Sequence, residues 1–295
     1  TGPDGKPSKA AEKFAQGLGL TVEQLKRITT SKGEYLGAQV EEKGRRASEI
    51  LPEVLGRAVH GINFKKSMRW GDVDYSFGRP LHSIIALLGT EVIPVIFADV
   101  KSGRQTRGHR FLSNEWINID RPSDYESALA KAHVIADLGK RRARVVESIT
   151  AAAQKAGGRL LDDPALIDQV TNLVELPCPV VGSFDSRHLD LPPEVLVQEM
   201  KSHQRYFSLV DAGGKLLPKF IAVSNTPVRD EQLSVKGYER VLQARLSDGR
   251  FFFDEDRRRP LAEWLPKLQR RTWMKEFGSY SEKVERFREL AVWLA

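Results

Sequence analysis

The 295-residue sequence is 41% hydrophobic and 29% charged with every aromatic type present, a composition that excludes a disordered or collagen-like chain. A single cysteine, Cys178, excludes an intrachain disulfide or a cysteine-based zinc cluster, and no apolar run approaches the roughly 20 residues of a membrane-spanning helix. The 46 Lys and Arg against 39 Asp and Glu leave a net charge of +7, which is compatible with a polyanionic partner without requiring one.

Length predicts one large domain or two ordinary ones. The opening segment TGPDGKPSKAAEKF lacks the apolar core of a signal peptide, so a soluble, cytoplasmic protein without a membrane partner is expected. Pro7-Ser8 offers a helix start, and the spacing predicts a helix over 10–18 stopped at Gly19. Thr21 with Gln24 three residues later is a capping-box pattern and predicts a short helix to about Ile28. Residues 33–44 read as a strand with turns at both ends, and 47–59 as an amphipathic helix with Pro52 in its first turns.

Short strands are predicted from 64 to 119, with 83–88 and 92–97 flanking the hairpin signal Gly89-Thr90. Arg121-Pro122-Ser123 begins a long helical stretch to about Ala156, ended by Gly157-Gly158. A helix over 164–175, a strand over 177–184 and a helix from Pro192-Pro193 to about His203 follow. Strands over 205–210 and 220–224 are joined by the turn Asp211-Ala212-Gly213-Gly214, and from 238 to 295 only helical periodicity is visible. Val284, Phe287, Leu290, Ala291 and Leu294 mark one apolar helix face with no closing Gly or Pro, and residue 1 is not Met, so a longer parent chain is expected. Helices, then sheet, then mixed elements, without regular βαβ alternation, predict an α+β fold, and no internal repeat occurs.

No Walker A, G-x-G-x-x-G after a strand, G-x-S-x-G or H-E-x-x-H motif is present. The six histidines are scattered singly without ligand spacing, so no metal is expected. Cys178, between Pro177 and Pro179 in an apolar run, reads as a small buried hydrophobe. Asp162-Asp163 fits a helix N-terminus ahead of Pro164, and Asp254-Glu255-Asp256 beside Arg257-Arg258-Arg259 reads as local ion pairing. No catalytic residue is assigned.

Four segments are both cationic and aromatic: Met68-Arg69-Trp70 with 77–82, Arg107-Gly108-His109-Arg110-Phe111, residues 200–207, and residues 240–259. Cations neutralise phosphates while aromatic and guanidinium planes stack on unpaired bases, the combination an RNA surface uses. Arginine–aromatic neighbours also make cation–π and core-edge contacts, and taken singly each segment reads as structural; Phe251-Phe252-Phe253 reads as too apolar for a surface. Residues 101–145 hold ten Lys and Arg against five acids, and 236–295 hold fourteen against ten, so the remainder is slightly acidic.

The ordered set GKPSKAAEKFAQGLGLT, MRWGDVDYSFGRPLHSIIALLG, RGHRF, HVIADLGKRRARV, LVELPCPVVGSF, LPPEVLVQEMKSHQRYF, GKLLPKFIAVSN and ERVLQARLSDGRFFFDEDR resembles the β subunit of bacterial tetrameric glycyl-tRNA synthetase across the whole chain. The resemblance implies an internal fragment. Residues 1–235 would be an α+β module, with mixed or antiparallel sheets, like the editing-type (B3/B4-like) module of the phenylalanyl-tRNA synthetase β chain. Residues 236–295 would begin an all-α, HD-like domain. It further implies that ATP, glycine and Mg²⁺ are used at the aminoacylation site of the α subunit and that this fragment binds no cofactor. The partners would be the α subunit, in an α2β2 heterotetramer, and tRNA(Gly). Glycine is the smallest amino acid and leaves little need for editing by size. The candidates for RNA or interface contact are Arg107, Arg110, Lys201, Arg205, Arg240, Arg245 and Arg250. Two alternatives stay open: a hydrolytic editing module for mischarged tRNA, for which no nucleophile or base is visible, and a purely structural assembly module.

Overall fold

The computed structural model describes residues 7–31, 33–40 and 44–295. The chain forms two compact units, Thr1–His82 with Val92–Gly103, and Ser83–Glu91 with Arg104–Ala295.

In the smaller unit, helix α1 (Lys9–Gly17) starts where the side chain of Ser8 accepts from Ala11 N at 3.3 Å, and it buries Ala11 and Ala15. The expected cap forms, Gln24 Oε1 accepting from Thr21 N at 2.8 Å, but it closes only the 3-10 turn Val22–Gln24. The predicted helix to Ile28 is instead the strand Lys26–Thr30, paired antiparallel with Gly33–Gly37. Ile28, Thr29 and Thr30 are consecutive β-branched residues, which favour the pleated conformation. Residues 41–43 of the predicted strand-and-turn segment lie outside the described residues. Helix α2 (Ala47–His60) accommodates Pro52 within its first two turns. At its end His60 packs edge-on against Tyr75 and Phe97, with ring centroids 5.4 and 5.1 Å away, and Phe77 packs on Phe97 at 5.2 Å. Phe97 belongs to Ile96–Phe97, which pairs antiparallel with Val100–Gly103.

The larger unit is built on a four-stranded antiparallel sheet in the order Arg159–Leu160, Phe207–Val210, Leu216–Ser224, Cys178–Ser183. Leu216–Ser224 is buried on both faces by strand alternation. Ile221, with Phe207 and Leu209, packs against Val145, Ile149 and Ala153 of α4 (Leu138–Lys155) and Leu166 and Val170 of α5 (Pro164–Leu173). Phe220 and Ala222 pack against Leu196 of α6 (Pro193–Gln198) and Leu242 and Leu246 of α7 (Glu231–Arg257). Antiparallel sheets with separately placed helices agree with the α+β expectation.

Where the sequence predicts one helix over 121–156, two form: α3 (Tyr125–Lys131), preceded by the 3-10 turn Pro122–Asp124, and then α4. His133 takes a left-handed φ of 62°, and Asp137 restarts the helix by accepting from Lys140 N at 2.7 Å. Gly157, at φ 76°, ends α4 as predicted. Gly89 takes φ 60° at the expected turn between the short strands Leu87–Leu88 and Glu91–Val92. After α6 the chain widens into the π-helical turn Glu199–Gln204 and leaves it at Arg205, φ 60°. Beyond α7 and the 3-10 segment Leu261–Arg270, an unpredicted pair of short strands, Thr272–Met274 and Gly278–Ser279, leads into α8 (Tyr280–Leu294). No helix among the described residues is long and apolar enough to cross a membrane.

Phe220 stacks on Tyr206 at 4.7 Å and lies opposite Gly182 in the sheet. A Cβ at Gly182 would overlap the fully buried Phe220 ring. Gly182→Ala is therefore expected to cost about 1–3 kcal/mol by overpacking, read as a lower urea midpoint at unchanged m-value. Combining it with Phe220→Leu should destabilise by less than the sum of the two single changes.

Candidate nucleic-acid interface

The RGHRF segment is held by a buried polar junction. Gln105–Arg107 pairs with Trp116–Asn118, which sets Arg107 opposite Trp116 with its guanidinium carbon 4.5 Å from the indole ring centroid. Gly108 lies so close to the next segment that a Cβ would overlap the Ala132 methyl and press on its carbonyl, so only glycine fits. His109 is fully buried. Its amide donates to Ala132 O at 2.9 Å, and its Nε2 lies 2.7 Å from Asn225 O. Its Nδ1 accepts from Phe111 N at 3.3 Å, which assigns the ring proton to Nε2. Asn225 continues the junction, its Oδ1 accepting from Glu175 N at 2.6 Å and Leu176 N at 3.2 Å.

This anchoring leaves Phe111 outside, 71% exposed, with the Arg110 guanidinium carbon 5.5 Å from its ring centroid. Phe111 and Leu112 form one side of a cleft of about 650 Å³. Its remaining lining includes Ser224, Thr226 and Arg229 at the end of the central strand, and Ser234 and Tyr238 on α7.

A second cleft of about 560 Å³ uses the neighbouring face of α7, where Lys236, Glu239, Arg240 and Gln243 follow helical spacing and meet Ser183 and Asp185. Glu239 is a brace: its Oε1 accepts from both the amide and the hydroxyl of Ser183, each at 2.8 Å. Behind it His188 is buried, with Nε2 3.2 Å from Gln243 Nε2 and Nδ1 without a partner. Burial lowers its pKa below the usual imidazole value, and the cations Arg187 and Arg250 lower it further.

Arg107, Arg110, Arg240 and Arg245 are exposed, Arg107 over Trp116, Arg110 over Phe111 and Arg240 in the second cleft. Lys201, Arg205 and Arg250 are engaged within the fold. Lys201 Nζ lies 2.6 Å from Asp163 Oδ2, and Asp163 also caps α5 by accepting from Leu166 N at 2.9 Å. Arg205 donates to the carbonyls of Lys201 and Ser202, closing the π-helical turn. Arg250 donates to Arg187 O and lies 3.8 Å from Asp190.

The cationic run of α4 is likewise paired within the fold, although Lys140, Arg142 and Arg144 stay on the surface. Arg141 donates to Thr171 O and Ile135 O at 2.9 and 2.8 Å, and Arg142 pairs with Asp168 at 2.7 Å. Lys140 pairs with Glu126, and Arg144 with Glu147. The triple phenylalanine departs from expectation: Phe253 packs on the core, but Phe251 and Phe252 are 60% and 63% exposed. A single helix presents consecutive residues about 100° apart and buries only one of the three. Arg229, Thr226 and Tyr238 were not singled out in the sequence, where the only local signal is turn chemistry at Asn225-Thr226-Pro227. Among the described residues no group of three or more His, Cys, Asp or Glu is placed to hold a metal ion.

Removing the junction should cost far more than removing the exposed cations. Asn225→Ala strands two amide donors and is expected to cost about 1–3 kcal/mol in urea unfolding, whereas Arg107→Gln and Arg110→Gln should each stay within about 0.5 kcal/mol. His188 binds a proton more weakly folded than unfolded, so unfolding takes up protons and stability falls as pH drops through about 6.5. His188→Gln should flatten that acid limb of the unfolding free energy; an unchanged limb would show that other groups produce it.

Comparison with known proteins identifies the family. The family model described as glycyl-tRNA synthetase beta subunit matches residues 1–295. The glycine–tRNA ligase beta subunit of Myxococcus xanthus (strain DK1622) is 70% identical over 98% of this chain and 41% of its own length. Those of Citrifermentans bemidjiense and Desulfatibacillum aliphaticivorans are 48% and 46% identical, each over 99% of this chain and 42% of their own length. The chain thus spans about two-fifths of the length of the curated relatives it matches. With its whole described length covered by the family model, the chain belongs to the glycyl-tRNA synthetase β-subunit family.

Proposed function

We propose that this chain contributes tRNA(Gly) binding and subunit assembly to glycine–tRNA ligase, an aminoacyl-tRNA synthetase of translation. The aminoacylation site, with its ATP and Mg²⁺, lies on the α subunit of a cytoplasmic α2β2 heterotetramer. The observation that carries the reading is the family match over all 295 residues, with a relative 70% identical over 98% of this chain. The exposed Arg107, Arg110, Arg240 and Arg245 add a physical basis for phosphate contact. The exposed rings of Phe251 and Phe252 suit a protein contact in the assembled enzyme.

The same proposal takes residues 1–235 as a module like the editing-type module of the phenylalanyl-tRNA synthetase β chain, and 236–295 as the start of an HD-like helical domain. The long helix α7, beginning at Glu231, supports a helical segment from about that point.

Binding of tRNA(Gly) to the native full-length enzyme over a salt series tests the role. Log affinity should fall linearly with log salt, and Arg107→Gln or Arg240→Gln should each reduce the slope by about one. Affinity independent of salt, or an unchanged slope in both variants, would remove this surface from the phosphate contacts.

A further inference from the structure

The geometry points to the cleft between Phe111 and Tyr238 as a seat for a single unpaired nucleotide of the bound RNA. This rests on the reading that the surface meets tRNA, and it names what that surface recognises. An RNA duplex hides its base faces and offers phosphates and ribose hydroxyls, so a duplex-binding surface needs cations and polar groups but no exposed ring. Here a large ring is held outward by design of the backbone. Phe111 N donates to His109 Nδ1, and Leu112 N and Ser113 N donate to His109 O at 3.1 and 2.8 Å, so the backbone that carries the Phe111 ring is fixed by the buried histidine. A preformed ring loses little freedom when a base stacks on it.

The rest of the cleft matches the other parts of a nucleotide. Arg110, over the Phe111 ring, and Arg229, in the cleft lining, supply positive charge for a phosphate. The Thr226 hydroxyl donates to Pro227 O at 3.0 Å, which leaves its oxygen lone pairs to accept from a base amino group or a ribose hydroxyl. Ser224 and Ser234 add further hydroxyls, and Tyr238 a second ring. The volume, about 650 Å³, lies within the roughly 300–1,000 Å³ of small-ligand sites. The second cleft on α7 has no ring comparable to Phe111 in this role, and its Glu239 is committed to Ser183.

The test uses the native full-length enzyme and two RNA probes, a blunt hairpin and the same hairpin with a short 3′ single-stranded tail carrying 2-aminopurine. Wild-type protein should bind the tailed probe more tightly and change the 2-aminopurine emission. Phe111→Ala should lower affinity for the tailed probe roughly 10-fold or more while leaving the blunt hairpin unaffected, and Phe111→Trp should restore it. Equal binding of both probes, or a tail preference that survives Phe111→Ala, would overturn the nucleotide seat while leaving tRNA binding standing. Loss of subunit co-elution in Phe111→Ala with RNA affinity intact would overturn it in favour of a protein contact. Failure of wild-type enzyme to bind tRNA(Gly) or either probe would overturn both readings.

Discussion

The strand Leu216–Ser224 is the constraint on which the larger unit depends, because it is apolar on both faces and must be covered twice. Ile221 requires α4 and α5 on one side, and Phe220 and Ala222 require α6 and α7 on the other. Satisfying both fixes the sheet order and places α7 directly after the strand. The strand end then delivers Ser224, Asn225 and Thr226 to one point, where Asn225 joins the loops at 109 and 175. The cleft beside Phe111 thus follows from how the core closes, its exposed and half-buried lining being carried on segments joined by the buried His109 and by Asn225.

Most of the positive charge in the middle of the chain serves the fold. Cations near the start of α4 oppose the helix dipole, which favours negative charge there. Arg141, Arg142 and Lys140 are held by carbonyls and carboxylates of α5, α3 and the intervening loop. Lys201 is similarly paired with Asp163 at the start of α5, and Arg205 closes the π-helical turn after α6. Other cations, among them Lys131, Arg240 and Arg245, stay exposed, and the guanidinium groups of Arg107 and Arg110 lie over the rings of Trp116 and Phe111.

Local pattern located α2, α5, three of the four strands of the central sheet and the stop at Gly157, because each depends on residues within one or two turns; it missed the two-residue edge strand Arg159–Leu160, which is too short to show an alternation. It did not separate α3 from α4, since residues 121–156 keep a helical pattern and the break rests on His133 adopting a left-handed conformation. The Thr21–Gln24 cap was recognised but its consequence was not, because a cap satisfies the first turn without specifying a second. At the site, the cationic–aromatic segments were visible, including Arg107 to Phe111. Which cations stay free was not visible, since the partners that occupy Arg142 and Arg250 are 26 and 63 residues away. Tyr238 and Arg229 join the cleft only through the chain reversal after the central strand.

The most direct measurement of the central claim is ultraviolet crosslinking of the native enzyme to tRNA(Gly), with the crosslinked peptides mapped by mass spectrometry. Crosslinks are expected at Phe111 and Tyr238, with the cationic stretches 140–144 and 201–205 unmarked. Crosslinks concentrated on those stretches, with none at Phe111 or Tyr238, would contradict that claim.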